Sequence, residues 1–167
     1  GSQALAEQLG QGAPADVFAS ANTKYIQVAV EKGQVDPDTV RTFAYNRLVI
    51  IYPKEYQAGI SAIKDLAKTG IKIDLADASV PVGQYALEFL EKASADAKYG
   101  QNFKDTVLQN VVSYEENVKA VVTKVSLNEA DAGIVYCTDV TPDVANLVGT
   151  INIPDELNTI ATYPIAP

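Results

Sequence analysis

Two hydrophobic periods take turns along this chain. Val118, Val121, Val122 and Val125 fall at i, i+3, i+4 and i+7, a stripe one helix face wide. Tyr85, Phe89 and Ala93, flanked by Ala86, Leu90 and Ala97, mark a second helix over 83–93. Residues 24–32 predict a helix capped by Asn22 or Thr23 and ended by Gly33. Shorter helices are expected over 3–11, 102–109 and 60–68, the last stopped by Gly70. Between them lie apolar runs of strand length: 16–19, 42–52 (interrupted by Asn46-Arg47 and stopped by Pro53), 71–75, 110–113, 132–137, 147–153 and 159–165. Ser113-Tyr114-Glu115-Glu116 fits a capping box opening the valine-striped helix. This alternation, without an internal repeat, predicts an α/β architecture.

Composition narrows the chemistry. The 167 residues carry 13 Lys+Arg against 21 Asp+Glu, a net charge of −8, and 47% are hydrophobic, enough for a folded chain of one domain or two small lobes. There is no His and one Cys, which excludes a His general base, an imidazole metal ligand, an internal disulfide and a thiolate zinc site. With no nucleophile-elbow motif either, the chain is not expected to be an enzyme. No apolar run approaches the ~20 residues of a membrane span. No basic cluster exists to attract a phosphate backbone, so no nucleic-acid partner is expected. The absence of Met marks the chain as a processed product or a fragment. Cys137 is expected to be a buried small hydrophobe, and Asp131 and Asp139 to have structural or solvated roles, since neither has a partner at metal-ligand spacing.

Three positions share one physical character. Ser2 precedes the first helix, Pro81-Val82 precedes the 83–93 helix, and residues 113–118 open the valine-striped helix. Each offers main-chain N–H groups and the positive end of a helix dipole to an anion. Ordinary capping accounts for them equally well, and whether they converge is a property of the fold that spacing does not supply.

The run Gly12-Ala13-Pro14-Ala15-Asp16-Val17-Phe18-Ala19-Ser20-Ala21-Asn22 resembles a signature of the molybdate/tungstate-binding proteins of bacterial ABC importers. Further blocks follow in that family's order: Val80-Pro81-Val82-Gly83-Gln84-Tyr85-Ala86, Glu116-Asn117-Val118, Glu129-Ala130-Asp131-Ala132-Gly133-Ile134-Val135-Tyr136, and Tyr163-Pro164-Ile165-Ala166. Together they run through essentially the whole chain. Gly1-Ser2 coincides with the family's G-S or S-S pair. The family's N-terminal strand-helix-strand and C-terminal helices have no counterpart here, which implies an incomplete first lobe.

The resemblance implies the two-lobe α/β fold of type II periplasmic binding proteins, with a ligand cleft between lobes: 1–46 in lobe 1, 47–146 in lobe 2, and 147–167 returning to lobe 1. It implies a tetrahedral oxyanion, molybdate or tungstate, held by the hydroxyl and N–H of Ser2, the main-chain N–H groups of Val82 and Val118, and the phenolic O–H of Tyr136. No cofactor and no directly bound metal ion are implied, and Asp77 is the one carboxylate near the Val80 segment. The implied partner is the membrane permease of an ABC importer. The implied location is periplasmic or otherwise extracytoplasmic, with the parent protein free or lipid-anchored. The alternatives are a binding protein for sulfate or another oxyanion, and the ligand-sensing effector domain of a transcription regulator.

Overall fold

The structure is a computed structural model that describes residues 2–56 and 58–167; Gly1, half of the expected Gly-Ser pair, lies outside the described residues. The chain divides into two compact units, residues 1–46 with 160–167, and residues 47–159.

The first unit is built on a three-stranded antiparallel sheet of β1 (Phe18–Ala19), β8 (Ala161–Ala166) and β2 (Arg41–Asn46), with β8 in the middle. Helices α1 (Ser2–Gly10) and α2 (Thr23–Glu31) supply Ala6, Ile26 and Ala29 to a small core with Phe18, Val35 and Ala166. As the spacing predicts, Asn22 caps α2, its side chain accepting from the N–H of Tyr25 at 3.2 Å. Gly33 follows the helix with φ +68°, a left-handed conformation that costs glycine nothing.

The second unit is a five-stranded sheet in the order β5-β4-β6-β3-β7, formed by β3 (Leu48–Pro53), β4 (Ile73–Ala76), β5 (Val111–Glu115), β6 (Ala132–Tyr136) and β7 (Val148–Asn152). β5, β4 and β6 run parallel, while β3 is antiparallel to both β6 and β7. Three helices serve this sheet: α3 (Pro81–Ala95), α4 (Phe103–Gln109) and α5 (Val118–Ser126). Leu48, Val49, Ile50 and Ile51 are all buried, as expected of a strand covered on both faces. The alternation along β6 shows how the cover is divided. A Cβ at Gly133 would meet Val121 and Val125 of α5 at 2.7 and 3.1 Å. Tyr136, three residues on and therefore on the opposite face, stacks edge-on against Tyr85 of α3, ring centroids 6.4 Å apart. Helices α3 and α5 thus cover opposite faces.

The structure departs from the sequence reading in four places. Ser113 and Glu116 do not form a capping box; Ser113 lies on β5, which stays paired with β4 as far as Ala76↔Glu115, and the N-cap of α5 is Asn117. The segment 60–68 contains only a short 3-10 helix, Ile63–Ala67, and the buried Asp65 carboxylate accepts the N–H groups of Ser61 and Ala62 that lead into it. Burial pushes that carboxyl's pKa up, but those two donors, the Ser61 hydroxyl and the Lys68 ammonium outweigh it and hold the group well below the ordinary range. Cys137 is exposed rather than buried, since it sits just past the end of β6. Finally, β7 lies in the sheet of the second unit, paired with β3 from Val49↔Asn152 to Pro53↔Val148; the unit boundary therefore falls at 159/160, where the sequence reading returned the chain to lobe 1 from 147.

Candidate oxyanion site

In the second unit, the strand order brings together what the sequence leaves scattered. β5, β4 and β6 are neighbours and point the same way, so their carboxyl ends share one edge. Neighbouring strands lie about 4.8 Å apart, so the three ends span about 10 Å. From the end of β4 the chain enters α3 at Pro81; from the end of β5 it enters α5 at Val118; β6 ends at Tyr136 itself. Because α3 and α5 leave toward opposite faces, the ends of β4 and β5 are a topological switch point, the position where ligands bind in open parallel sheets. Val82, Val118 and Tyr136 therefore stand on three adjacent connections at one edge. The N–H of Asp77 donates to the carbonyl of Glu115 at 2.8 Å and ties the first two ends together.

The two helix starts are made differently. Val80 is the N-cap of α3 and has no side-chain oxygen, so no side chain caps the first turn. The Val82 side chain is buried in the core (1% exposed), which leaves its main chain to face any ligand. α5 is half capped, the Asn117 side chain accepting from Ala120 N–H at 3.0 Å and leaving the first two N–H groups of the helix outside that bond. Asn117→Ala is expected to cost about 1 kcal/mol in unfolding free energy, measured in urea.

Gly83 sets how closely α3 approaches the strand. A Cβ there would lie 2.2 Å from the carbonyl oxygen of Asp77 and 2.4 Å from that of Ala76. The helix start is thus seated directly on the end of β4, an approach that a side chain would forbid.

Two acids beside these strand ends are engaged in local bonds. Asp77 accepts from the N–H and hydroxyl of Ser79, and these bonds hold its carboxyl below the usual range. Asp139 accepts the N–H of Tyr136 at 3.0 Å; burial pushes this carboxyl up, against that bond and the nearby Lys119. Asp131, at the opposite end of β6, accepts the N–H of Lys72 at 2.8 Å. Among the described residues no group of three or more His, Cys, Asp or Glu could hold a metal ion. The chemistry on offer is hydrogen-bond donation to an anion by main-chain N–H groups and a phenol, at the positive ends of two helix dipoles.

Ser2 belongs to the first unit, where it is the first residue of α1 and its Oγ accepts from Ala21 N–H at 2.9 Å. The sequence reading passed over Gly83, Tyr85 and Asn158. The first two lie in the same block as Val82, where tight helix seating and ring contact were there to be inferred. Asn158 carried no local signal.

A family model described as "Bacterial extracellular solute-binding protein" matches residues 1–167. The molybdate-binding protein ModA of Mycobacterium tuberculosis is 34% identical over 166 residues, covering 99% of this chain and 58% of its own length. The ModA of Escherichia coli is also 34% identical, covering 99% of this chain and 63% of its own length. Among solved structures, a substrate-binding domain assigned to a molybdenum ABC transporter of Clostridium difficile superposes with a TM-score of 0.79 at 31% identity, over 99% of this chain and 68% of that one. The chain thus spans about three fifths of the length of the curated relatives it matches.

Proposed function

Because the chain belongs to the bacterial extracellular solute-binding protein family and has the fold of type II periplasmic binding proteins, we propose that it captures molybdate or tungstate outside the cytoplasm and delivers it to the permease of an ABC importer. The observation that carries the reading is the meeting of two helix N-termini and the Tyr136 strand end on three adjacent parallel strands. Val82 and Val118 give main-chain N–H groups and Tyr136 gives its phenolic O–H. The relatives named as molybdate-binding supply the ligand. Among the described residues no helix is long and apolar enough to cross a membrane.

Neutral donors suit a transported dianion. Each N–H or O–H donated to the oxyanion is charge-assisted and therefore about twice as strong as a neutral bond. No ammonium or guanidinium needs to be unpaired when the ligand leaves. A rigid cage fitted to the longer metal–oxygen bonds of molybdate leaves sulfate short of some donors, at a cost of about 1–3 kcal/mol for each donor left unpaired.

The test is calorimetric titration of the chain with molybdate, tungstate and sulfate, alongside Tyr136→Phe. Molybdate and tungstate are expected to bind at least tenfold more tightly than sulfate. Tyr136→Phe is expected to weaken molybdate about tenfold, the loss of one charge-assisted donor. Equal binding of sulfate and molybdate would replace the ligand with the alternative oxyanion, and an unchanged affinity in Tyr136→Phe would remove the phenol from the site. Ser2→Ala is measured in the same series as a separate question, since its hydroxyl is engaged within the first unit.

A further inference from the structure

Asp74 lies in the middle of β4 and is completely buried, and neither of its carboxylate oxygens has a hydrogen-bond partner. The register explains its surroundings. Asp74 stands beside Ser113 of β5 and Gly133 of β6, on the face covered by α5. Lys124, in the last turn of α5, reaches into this layer, but it is paired with Glu115 and donates to the Ser113 hydroxyl oxygen at 2.9 Å. Its Nζ stays 3.9 Å from Asp74 Oδ1, beyond hydrogen-bond reach. One partly exposed cation thus faces two carboxylates and is committed to the more exposed of them.

We propose that Asp74 keeps a proton up into the neutral range and that this proton is coupled to the oxyanion site, retained when the anion binds and lost more readily when it does not. The coupling rests on the oxyanion reading above; the protonation does not. Asp74 is two residues, about 7 Å of strand, below the end of β4 that leads to Val82. An ionised carboxylate there repels a dianion at the strand ends through a poorly screened interior, whereas a neutral acid does not. Linkage makes the effect reciprocal: the anion raises the proton affinity of Asp74 as much as the proton raises the affinity for the anion.

The groups facing Asp74 raise its pKa on balance. Burial and the Glu115 charge push its pKa up to about 7, with Glu129, just beyond α5, adding to the rise and Lys124 opposing it. The Glu115 carboxyl is held low by the hydrogen bond from Lys124, so it remains the charged member of the pair. From β6 the neighbour is Gly133, and from α5 Val121 and Val125, none of which titrates. At the start of the strand, Asp131 is occupied by the N–H of Lys72.

Carbon-13 carboxyl NMR of the ligand-free chain, with Asp74→Asn to assign the resonance, tests the first half. The Asp74 carboxyl is expected to titrate near neutrality and to shift downward in Glu115→Gln; titration near 4 overturns the proposal. The folded-state pKa lies above the unfolded value, so stability should fall as pH rises from about 4 to about 7, and Asp74→Asn should flatten that slope. The second half is read by calorimetry with molybdate at pH 7 in two buffers of different ionisation enthalpy. Wild type is expected to take up protons and to lose affinity at least threefold between pH 6 and 8, while Asp74→Asn does neither. Molybdate binding without proton uptake in wild type overturns the coupling. No binding of molybdate or tungstate at all overturns the oxyanion reading and the coupling with it, and leaves the carboxyl titration to decide the buried proton.

Discussion

Gly83→Ala is expected to lower the melting temperature by about 6–12 °C and to weaken molybdate binding at least tenfold. The added methyl would sit 2.2 Å from the Asp77 carbonyl oxygen, 2.4 Å from that of Ala76 and 2.7 Å from the Asp77 carbonyl carbon, and all three are main-chain atoms. No rotamer change relieves such contacts, so either the end of β4 or the first turn of α3 must move. Overpacking of this kind costs about 3 kcal/mol at the upper end of its usual range, and a domain of this size loses about 2–4 °C per kcal/mol. The affinity falls because the helix start that carries Val82 N–H is the part displaced. Thermal unfolding followed by circular dichroism and calorimetric titration check the two numbers separately. Unchanged values for both would mean that α3 is not seated on the strand end as described.

The same residue shows what was legible in the sequence. Helices α2, α3 and α5 stand out in the apolar periodicity because each buries one stripe and exposes the other face, and Asn22 and Gly33 bound α2 by chemistry that acts within four residues. Errors arose where a distant partner decided the outcome. Ser113 and Glu116 have the spacing of a capping box, but pairing with β4 holds Ser113 in a strand and Lys124 donates to its hydroxyl oxygen. Residues 147–153 read correctly as a strand, but nothing local says that the strand pairs with β3. The site shows the same division. Val82, Val118 and Tyr136 were named by resemblance, while their common edge follows only from the order β5-β4-β6. Asp74 passed unremarked within the run 71–75, because an acid in an apolar strand becomes informative only when its neighbours are known.

Asn158→Ala is expected to cost about 3 kcal/mol in urea unfolding, the largest loss expected from a single polar side chain of the second unit. β7 pairs with β3 only as far as Val49, leaving the main chain of Leu48 without a strand on that side. The Asn158 amide takes the missing strand's place: its Oδ1 accepts from Leu48 N–H at 3.0 Å, and its Nδ2 donates to the carbonyls of Leu48 at 2.9 Å and Ile153 at 3.2 Å. With 3% of its surface exposed, no solvent stands ready to replace it, so truncation strands buried main-chain groups at about 1–3 kcal/mol each. Leu48 lies opposite Tyr136 in register, so the loss should extend to the site as faster hydrogen exchange at Leu48 and weaker molybdate binding. Asn158→Asp separates the two halves of the interaction: it keeps the acceptor for Leu48 N–H but sets a carboxylate against two carbonyl oxygens, and should be at least as damaging at neutral pH. The adjoining Arg47–Asp155 pair provides the contrast. Both side chains are more than half exposed, so their 2.9 Å ion pair is worth under about 1 kcal/mol, and Asp155→Ala should leave stability and binding nearly unchanged. Equal effects of Asn158→Ala and Asp155→Ala would show that burial of the amide is not what holds the start of β3 in place.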